Sequence, residues 1–130
     1  MMKTSILVVE DQSDIRKLIN MTMQFGNYEV HEADHGLLGV KMAQAVRPSL
    51  ILMDVMMPGE IDGLQACARI KSDPELRHIP IIMLTARGQQ SDFEAGRQAG
   101  ADGYLTKPFS PLELIDTIEK LLQERAAAGA

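Results

Sequence analysis

The sequence predicts a doubly wound α/β fold, in which five helices cover both faces of a five-stranded parallel sheet. Short apolar runs alternate along the chain with longer segments of helical periodicity, and this alternation favours a parallel sheet. Most of the apolar runs are continuous, as expected of strands that are buried on both faces. The 130 residues are enough for one such domain with a sizeable core.

Each predicted strand is short and bounded by polar or turn-forming residues. The five strands are, in chain order, residues 5–9, 28–33, 49–54, 80–84 and 104–105. The first, third and fourth are apolar throughout most of their length, whereas the second alternates between apolar and polar residues. The fifth is brief and follows a turn that contains two glycines.

The predicted helices lie between the strands and after the last one. They cover, approximately, residues 13–25, 36–47, 64–72, 89–100 and 111–125. Ser13 or Asp14 suits the N-cap of the first helix, and Gly26 ends it. Pro48 ends the second helix. Ser110 and Glu113 form a capping box for the last helix.

Three of these helical segments carry further expectations. Cys67 lies on one face of the third helix, where we expect a small buried hydrophobic residue in a reduced compartment. The fourth helix is weakly apolar, and Phe93 is its one large apolar anchor. The alanine-rich residues 126–130 are expected to fray beyond a domain that covers residues 1–125.

Composition limits the possible functions. A net charge of −5 argues against direct binding to nucleic acid, because phosphate backbones attract clustered lysine and arginine. A single cysteine cannot form an internal disulfide. No apolar run approaches the roughly 20 residues that a membrane span needs, and no signal peptide is evident. We therefore expect a soluble, cytoplasmic protein.

Polar residues stand where four of the predicted strands end. Glu10 and Asp11 follow the first strand, Asp54 ends the third, Thr85 ends the fourth and Lys107 follows the fifth. Carboxyl ends of parallel strands share one edge of the sheet, and ligands bind at that edge. Three neighbouring carboxylates repel each other, and a hard divalent cation such as Mg²⁺ offsets that repulsion. Together with the ammonium and hydroxyl groups, they predict a place for a phosphoryl group on Asp54.

Four motifs at these strand ends are similar to those of receiver domains in the response-regulator family of two-component signalling. They are Ile6-Leu-Val-Val-Glu10-Asp11, Leu50-Ile-Leu-Met-Asp54-Val-Met-Met-Pro58, Ile82-Met-Leu-Thr85-Ala86 and Gly100-Ala-Asp-Gly-Tyr104-Leu-Thr-Lys107-Pro108-Phe109. Singly they are weak, but in this order and spacing they are highly specific. The resemblance covers residues 3–125 and implies a flavodoxin-like fold with strand order 2-1-3-4-5.

The resemblance implies that Asp54 accepts a phosphoryl group from a histidine kinase or a phosphotransfer protein. Glu10, Asp11, Asp54 and the backbone carbonyl of Met56 would hold Mg²⁺ or Mn²⁺. Lys107 would pair with the phosphoryl oxygens. Its peptide bond to the following Pro108 would be cis. Such a domain catalyses only its own phosphorylation and dephosphorylation, so the resemblance implies a phosphoprotein switch and not an enzyme with a separate substrate.

The resemblance also implies how the signal leaves the site. Thr85 would shift toward the phosphoryl group and hydrogen-bond to it, and Tyr104 would follow. Their movement would change the face made by the fourth helix, fifth strand and fifth helix, which would control a downstream protein target or effector domain. Family members also often form phosphorylation-dependent homodimers. Residues Met56 and Arg87 would flank the acceptor and slow hydrolysis of its phosphoryl group.

The loop after the acceptor departs from the family pattern. Receivers usually read Met-Pro-Gly-Met-Asp-Gly, whereas residues 57–63 are one residue longer. We expect this loop to bulge, with Ile61 turned inward and Glu60 facing solvent. Metal binding is expected to survive because the insertion follows Met56. The neighbouring Met57 is expected to be partly exposed.

Two other functional classes compete with the switch. A scaffold that binds partners without phosphorylation would keep the fold, but the intact set of polar strand-end residues argues against it. A hydrolase of the haloacid dehalogenase type would need a second acid two residues after the nucleophile, where this chain has Met56. His31, His35 and His78 lack the spacing of metal ligands and are expected to be structural or exposed.

Overall fold

Five parallel strands and five helices alternate along the chain in the computed structural model, which describes residues 3–86 and 90–129. The strands are β1 (Thr4–Val9), β2 (Tyr28–Ala33), β3 (Leu50–Asp54), β4 (Ile81–Ala86) and β5 (Gly103–Lys107). The helices are α1 (Ser13–Met23), α2 (Gly36–Val46), α3 (Gly63–Ser72), α4 (Gln90–Ala99) and α5 (Pro111–Gly129). The sheet order β2-β1-β3-β4-β5 confirms the predicted doubly wound, flavodoxin-like topology.

The three central strands are buried on both faces, as their continuous apolar runs predict. Successive side chains of a strand point to opposite faces. In β1, Leu7 and Val9 therefore join the apolar cluster of one face, whereas Ile6 and Val8 join the cluster of the other. The first cluster also contains residues of α2 and α3, and the second contains residues of α1 and α5.

The helix ends follow capping chemistry that is partly predictable. The Ser110 hydroxyl accepts a hydrogen bond from the Glu113 amide at 3.1 Å, and the Glu113 carboxylate accepts one from the Ser110 amide at 3.2 Å. This reciprocal pair confirms the predicted capping box of α5. Asp62 and Gln65 form a second capping box at the start of α3, which the sequence analysis did not identify.

Two predictions about helix ends differ from the structure. The N-cap of α1 is Gln12 and not Ser13 or Asp14, since Ser13 is already helical, and the Gln12 side chain makes no capping hydrogen bond. Helix α5 continues to Gly129, whereas residues 126–130 were expected to fray. Alanine is the strongest helix former, so the Ala-rich sequence extends the helix past the predicted boundary at residue 125.

The sulfur-containing residues were predicted with mixed success. Cys67 is wholly buried in α3, as expected. Met57 was expected to be partly exposed but is buried in the core, while the neighbouring Met56 is 70% exposed. Successive side chains here alternate between the core and solvent, so Met57 lies in the core while Met56 is exposed.

None of the described helices is both long and apolar enough to span a membrane.

Candidate functional site

The predicted polar residues meet at the carboxyl edge of the sheet. Asp54 is the last residue of β3 and is in register with Leu84 of β4. Thr85 and Lys107 follow on the next two strands, β4 and β5. Glu10 comes directly after β1, and its amide donates a hydrogen bond to the Ala33 carbonyl at 3.0 Å. The parallel topology therefore brings together residues that lie far apart in the sequence.

The acidic residues of this edge lie close enough to share one cation. One carboxylate oxygen from each of Glu10, Asp11 and Asp54 lies within 4.8 Å of the others. Glu10 is wholly buried, and Asp54 is only 5% exposed. Lys107 places its Nζ 2.7 Å from Glu10 Oε1 and 3.3 Å from Asp54 Oδ1. One ammonium thus faces a cluster with up to three negative charges.

A cavity of about 250 Å³ opens beside these residues. Asp11, Asp54, Met56, Ala86 and Lys107 contribute to its lining. The Met56 amide donates a hydrogen bond to Asp54 Oδ1 at 3.3 Å, so the backbone after β3 helps to orient the carboxylate. Asp54 is therefore buried and oriented, yet its carboxylate faces a space that a small ligand can enter.

The electrostatics of Asp54 reflect its surroundings. The pKa of Asp54 is raised to about 8, first by burial and then by the neighbouring Glu10, while Lys107 acts in the opposite direction. Burial alone would lower the pKa of Lys107, but its contacts with Glu10 and Asp54 outweigh burial and raise it. Lys107 therefore remains a positive charge beside Asp54.

The donor set suits a hard divalent cation. Three carboxylates supply only oxygen ligands, and Mg²⁺ prefers a few such oxygens while keeping several waters. A bound divalent cation would also offset the mutual repulsion of Glu10, Asp11 and Asp54, which Lys107 alone does not neutralise. The residues present therefore fit a divalent metal ion. The role of the Met56 carbonyl as a further ligand stays a prediction.

Thr85 supplies a hydroxyl group at the same edge of the sheet. Its side chain is buried, and its Oγ1 has no hydrogen-bond partner among the residues that the structure describes. Buried polar atoms are usually paired, so an unpaired hydroxyl at the edge of a site is informative. Thr85 is free to hydrogen-bond to a group that enters from outside the chain.

Tyr104 lies on β5, two residues before Thr106, the partner of Thr85 in the strand register. Side chains two residues apart share a face of the sheet, so Thr85 and Tyr104 lie on the same face. The Tyr104 hydroxyl donates a hydrogen bond to the backbone carbonyl of Phe93 in α4 at 2.8 Å. This hydrogen bond connects β5, the strand that bears Lys107, with α4.

Two residues that support the site were missed by the sequence analysis. Arg16 donates hydrogen bonds to the backbone carbonyls of Glu10 and Asp11, at 2.7 and 3.1 Å, and so fixes the acidic turn. Gly63 packs so closely that an ideal Cβ would lie 1.7 Å from the Asp54 carbonyl oxygen. Only glycine fits there. The position of Gly63 at the end of the atypical loop was the feature of the sequence that could have indicated this close packing.

The atypical loop behaves as expected. Ile61 is 5% exposed and joins the apolar cluster, whereas Glu60 is exposed. Gly59 has a φ of +118°, a conformation that favours glycine and lets the longer loop turn.

The peptide bond between Lys107 and Pro108 is cis, as predicted. Arg87, predicted to flank the acceptor, and Gln89, the predicted start of the fourth helix, lie outside the described residues.

Two curated proteins are similar to this chain over most of its length. The chain is 40% identical over 121 residues to the transcriptional regulatory protein ResD of Bacillus subtilis (strain 168), which covers 93% of this chain and 49% of ResD. It is 38% identical over 122 residues to SrrA of Staphylococcus aureus (strain NCTC 8325), covering 94% of this chain and 49% of SrrA. The chain thus spans about half the length of the curated relatives it matches.

Solved structures show the same architecture. The chemotaxis response regulator CheY4 of Vibrio cholerae matches with a TM-score of 0.86 and 31% identity, over 92% of this chain and 99% of CheY4. The receiver domain of the sensor histidine kinase PA1611 of Pseudomonas aeruginosa PAO1 matches with a TM-score of 0.86 and 34% identity, over 94% and 99% of the two chains. That structure has a magnesium ion coordinated in its active-site cleft.

The family model of the response regulator receiver domain matches residues 6–119 of this chain. This range includes β1 to β5 apart from the first two residues of β1, and it contains the residues of the acidic edge and Lys107. The chain belongs to the receiver domains of two-component response regulators.

Proposed function

We propose that Asp54 is the phosphoacceptor of this receiver and takes a phosphoryl group from a phosphohistidine in a Mg²⁺-dependent reaction. The donor would be a histidine kinase or a phosphotransfer protein. The observation that carries the proposal is the arrangement around Asp54, whose buried carboxylate borders a cavity also lined by Asp11 and Lys107 and lies within 4.8 Å of a carboxylate oxygen of Glu10. A structural carboxylate would need neither the cavity nor the additional acids.

The reaction is a transfer between two nucleophiles. An oxygen of the Asp54 carboxylate forms a bond to phosphorus while the phosphorus–nitrogen bond to the donor imidazole breaks. The electron pair of the broken bond leaves with the imidazole, whose other ring nitrogen carries a proton, so the donor ends as the neutral histidine side chain. Lys107, 3.3 Å from Asp54 Oδ1, attracts the phosphoryl oxygens and holds the group in line.

Glu10, Asp11 and Asp54 would hold the metal, with the Met56 carbonyl as a further ligand. When bound, Mg²⁺ supplies positive charge that stabilises the phosphoryl group as negative charge develops in transfer. Glu10 also pairs with Lys107 at 2.7 Å, so the same carboxylate orients the lysine. The exposed Met56 side chain lies at the mouth of the cavity, where it would restrict access of water to the phosphorylated Asp54.

The output would be conformational. The unpaired Thr85 hydroxyl is suited to hydrogen-bond to a phosphoryl oxygen, and its shift would leave space on the face of the sheet that it shares with Tyr104. Movement of Tyr104 would then change the face formed by α4, β5 and α5. A downstream protein target, an effector domain or a second copy of the chain would respond to that face. In this account the chain modifies only itself.

Labelling with a small acyl phosphate tests the proposal. The intact mass of the wild-type protein should increase by one phosphoryl group in the presence of Mg²⁺, and chelation should prevent the increase. Asp54→Asn should remain unlabelled, because an amide is not a nucleophile for this transfer. Asp62→Asn is a matched control, since Asp62 caps α3 and asparagine is an equally good cap.

The two variants separate the possible results. Labelling of Asp62→Asn but not of Asp54→Asn supports the acceptor role. Stoichiometric labelling of Asp54→Asn would contradict it. A wild-type protein that stays unlabelled, and binds its partners equally with and without the donor, would favour the non-phosphorylated scaffold.

A further inference from the structure

The acidic turn, residues 10–12, is held by hydrogen bonds from its backbone amides. The Glu10 amide donates to the Ala33 carbonyl oxygen at the end of β2, at 3.0 Å. The Gln12 amide donates to Glu10 Oε2 at 3.2 Å. The carbonyl groups of a turn need partners as well, and these must be other donors. The carbonyl oxygens of Glu10 and Asp11 find theirs in a side chain of α1.

Arg16 of α1 donates to both of these carbonyl oxygens. Its Nη1 lies 2.7 Å from the Glu10 oxygen and 3.1 Å from the Asp11 oxygen. Its Nε lies 3.2 Å from Oε1 of Glu32 on β2. A guanidinium group is planar and its donors have a fixed arrangement, so contacts through two of its nitrogens orient the whole group. Arg16 thus joins the acidic turn to β2.

Regular secondary structure holds both residues of this ion pair. The Arg16 amide donates to the Gln12 carbonyl oxygen at 3.1 Å, in the first turn of α1. Glu32 is in register with Val8 of β1, two residues before Glu10. The Arg16 side chain is 21% exposed and that of Glu32 is 43% exposed. Arg16 is therefore a largely buried link between α1, the acidic turn and β2, and differs from a solvated surface charge.

The separation of the site carboxylates depends on the backbone of the acidic turn. Oxygens of Glu10, Asp11 and Asp54 lie within 4.8 Å of one another. Like charges at this separation repel, so a turn that was free to move would let the carboxylates of Glu10 and Asp11 move away from Asp54. A metal ion would then have to bring them together, and that cost would reduce its affinity.

From these contacts we infer that Arg16 and Glu32 form a clamp that raises the affinity of the acidic edge for a divalent metal ion. The clamp holds the carboxylates of Glu10 and Asp11 near Asp54 before the metal binds. Arg16 is a positioning residue that acts through the backbone of the turn, and Glu32 acts through Arg16. The inference rests on the metal site of the proposed function.

Substitution of Arg16 by glutamine distinguishes the clamp from simple electrostatics, because the two predict opposite results. A positive charge near a cation site repels the cation, so loss of the charge alone would strengthen Mg²⁺ binding. The clamp predicts that Arg16→Gln binds Mg²⁺ about tenfold more weakly. Arg16→Lys keeps the charge but lacks the planar group, and should bind Mg²⁺ about fivefold more weakly. An NMR titration of the β1 and β3 amides with Mg²⁺ measures each Kd.

Lys17→Gln is the matched control, because Lys17 is the next residue of α1, is exposed, and loses the same charge. Its Mg²⁺ affinity should change by about twofold or less, since solvent and salt screen an exposed charge. Glu32→Gln should weaken Mg²⁺ binding about threefold in the wild-type background, by loosening Arg16. The same substitution should have no effect in Arg16→Gln, because Glu32 acts only through Arg16. Equal effects of Glu32→Gln in both backgrounds would contradict its part in the clamp.

Amide hydrogen exchange without metal tests the clamp separately. The Glu10 and Gln12 amides should exchange about tenfold faster in Arg16→Gln than in the wild type, while unchanged exchange in β4 shows that the fold is intact.

The outcomes separate the clamp from the proposed metal site. Unchanged or stronger Mg²⁺ binding by folded Arg16→Gln would overturn the clamp, as would wild-type affinity in Arg16→Lys. If Arg16→Gln does not fold, Arg16→Lys and Glu32→Gln decide in its place. A wild-type protein that binds no Mg²⁺ would instead refute the proposed metal site, and the exchange of the Glu10 and Gln12 amides would still decide whether Arg16 holds the turn.

Discussion

Asp54 and Cys67 are both acids whose pKa burial raises, to about 8 and about 11, yet their surroundings differ. Asp54 borders a cavity and has a lysine and two further acids beside it. Cys67 is wholly buried on α3, and its thiol donates a hydrogen bond of 3.6 Å to the Ala99 carbonyl oxygen. The first environment suits a reactive group and the second suits a packed one.

We predict that Cys67 resists alkylation in the folded protein. Burial raises the pKa of its thiol from 9.0 to about 11, which lowers the thiolate fraction at pH 8 by about 100-fold. Iodoacetamide should therefore react at least that much more slowly in buffer than in guanidinium chloride, as intact mass would report. The Cys67→Ser variant shows the background. Similar rates in both solutions would contradict the prediction.

The same shift gives a pH dependence of stability. Between pH 9 and 11 the unfolded thiol is ionised while the folded thiol stays protonated. The unfolded state then binds fewer protons, so the contribution of Cys67 to the free energy of unfolding falls as pH rises through this window. The contribution is fully present below about pH 9.

Single residues differ in how far the sequence predicts them. The topology alone brings the predicted site residues together, because each of them ends or follows a recognisable strand. They are Glu10, Asp11, Asp54, Thr85 and Lys107. The role of Arg16 was not predictable, because it bonds to backbone carbonyls and leaves no pattern in residue type. The burial of Met57 was not predicted, because the alternation between buried and exposed side chains continues beyond the end of β3 into the loop.

At the scale of elements, Asp102 joins the opposite edge of the sheet to two helices. Its Oδ2 accepts a hydrogen bond from the Ile81 amide at 2.8 Å and lies 2.8 Å from Lys71 Nζ on α3. Its Oδ1 pairs with Arg125 on α5. Lys71 also donates to the Ile79 carbonyl at 2.7 Å. One carboxylate thus connects α3, β4, β5 and α5.

Removal of this carboxylate should destabilise the fold. Asp102→Ala leaves the Ile81 amide without its acceptor and the largely buried Lys71 ammonium without a counter-charge, so we expect a loss of about 2–3 kcal/mol in the free energy of unfolding. Glu75→Ala, which breaks an exposed pair with Arg47, should lose about 0.5 kcal/mol or less. Urea unfolding measures both. Equal losses would show that Asp102 acts only as a surface charge.

The order and type of all five strands and helices followed from periodicity, but their ends did so only in part. The α5 capping box was visible because serine, proline and glutamate stand at the required spacing. The start of α1 was not, because Ser13 and Asp14 both suit a cap and the structure uses neither. Helix α5 extends to Gly129 because alanine has a high helix propensity, so the predicted boundary at residue 125 was too early.

For the whole molecule, we predict that a divalent metal bound at the acidic edge stabilises the fold. Binding to the folded state alone stabilises it, by about 1.4 kcal/mol when free Mg²⁺ is ten times the dissociation constant. We therefore expect Mg²⁺ to raise the Tm of the wild-type protein by a few degrees. Asp11→Asn, which removes one of the three carboxylates, should lose most of this rise. An equal rise in both proteins would indicate that the metal binds elsewhere.

Chemical mapping can determine directly whether Asp54 forms an acyl phosphate. After reaction with a small acyl phosphate and Mg²⁺, borohydride reduces a phosphorylated aspartate to homoserine, which peptide mass spectrometry locates. If Asp54 is the acceptor, homoserine should form at residue 54 only when Mg²⁺ is present, and Asp11 and Asp62 should stay unmodified. Homoserine absent from residue 54, or equally abundant at other aspartates, would contradict it.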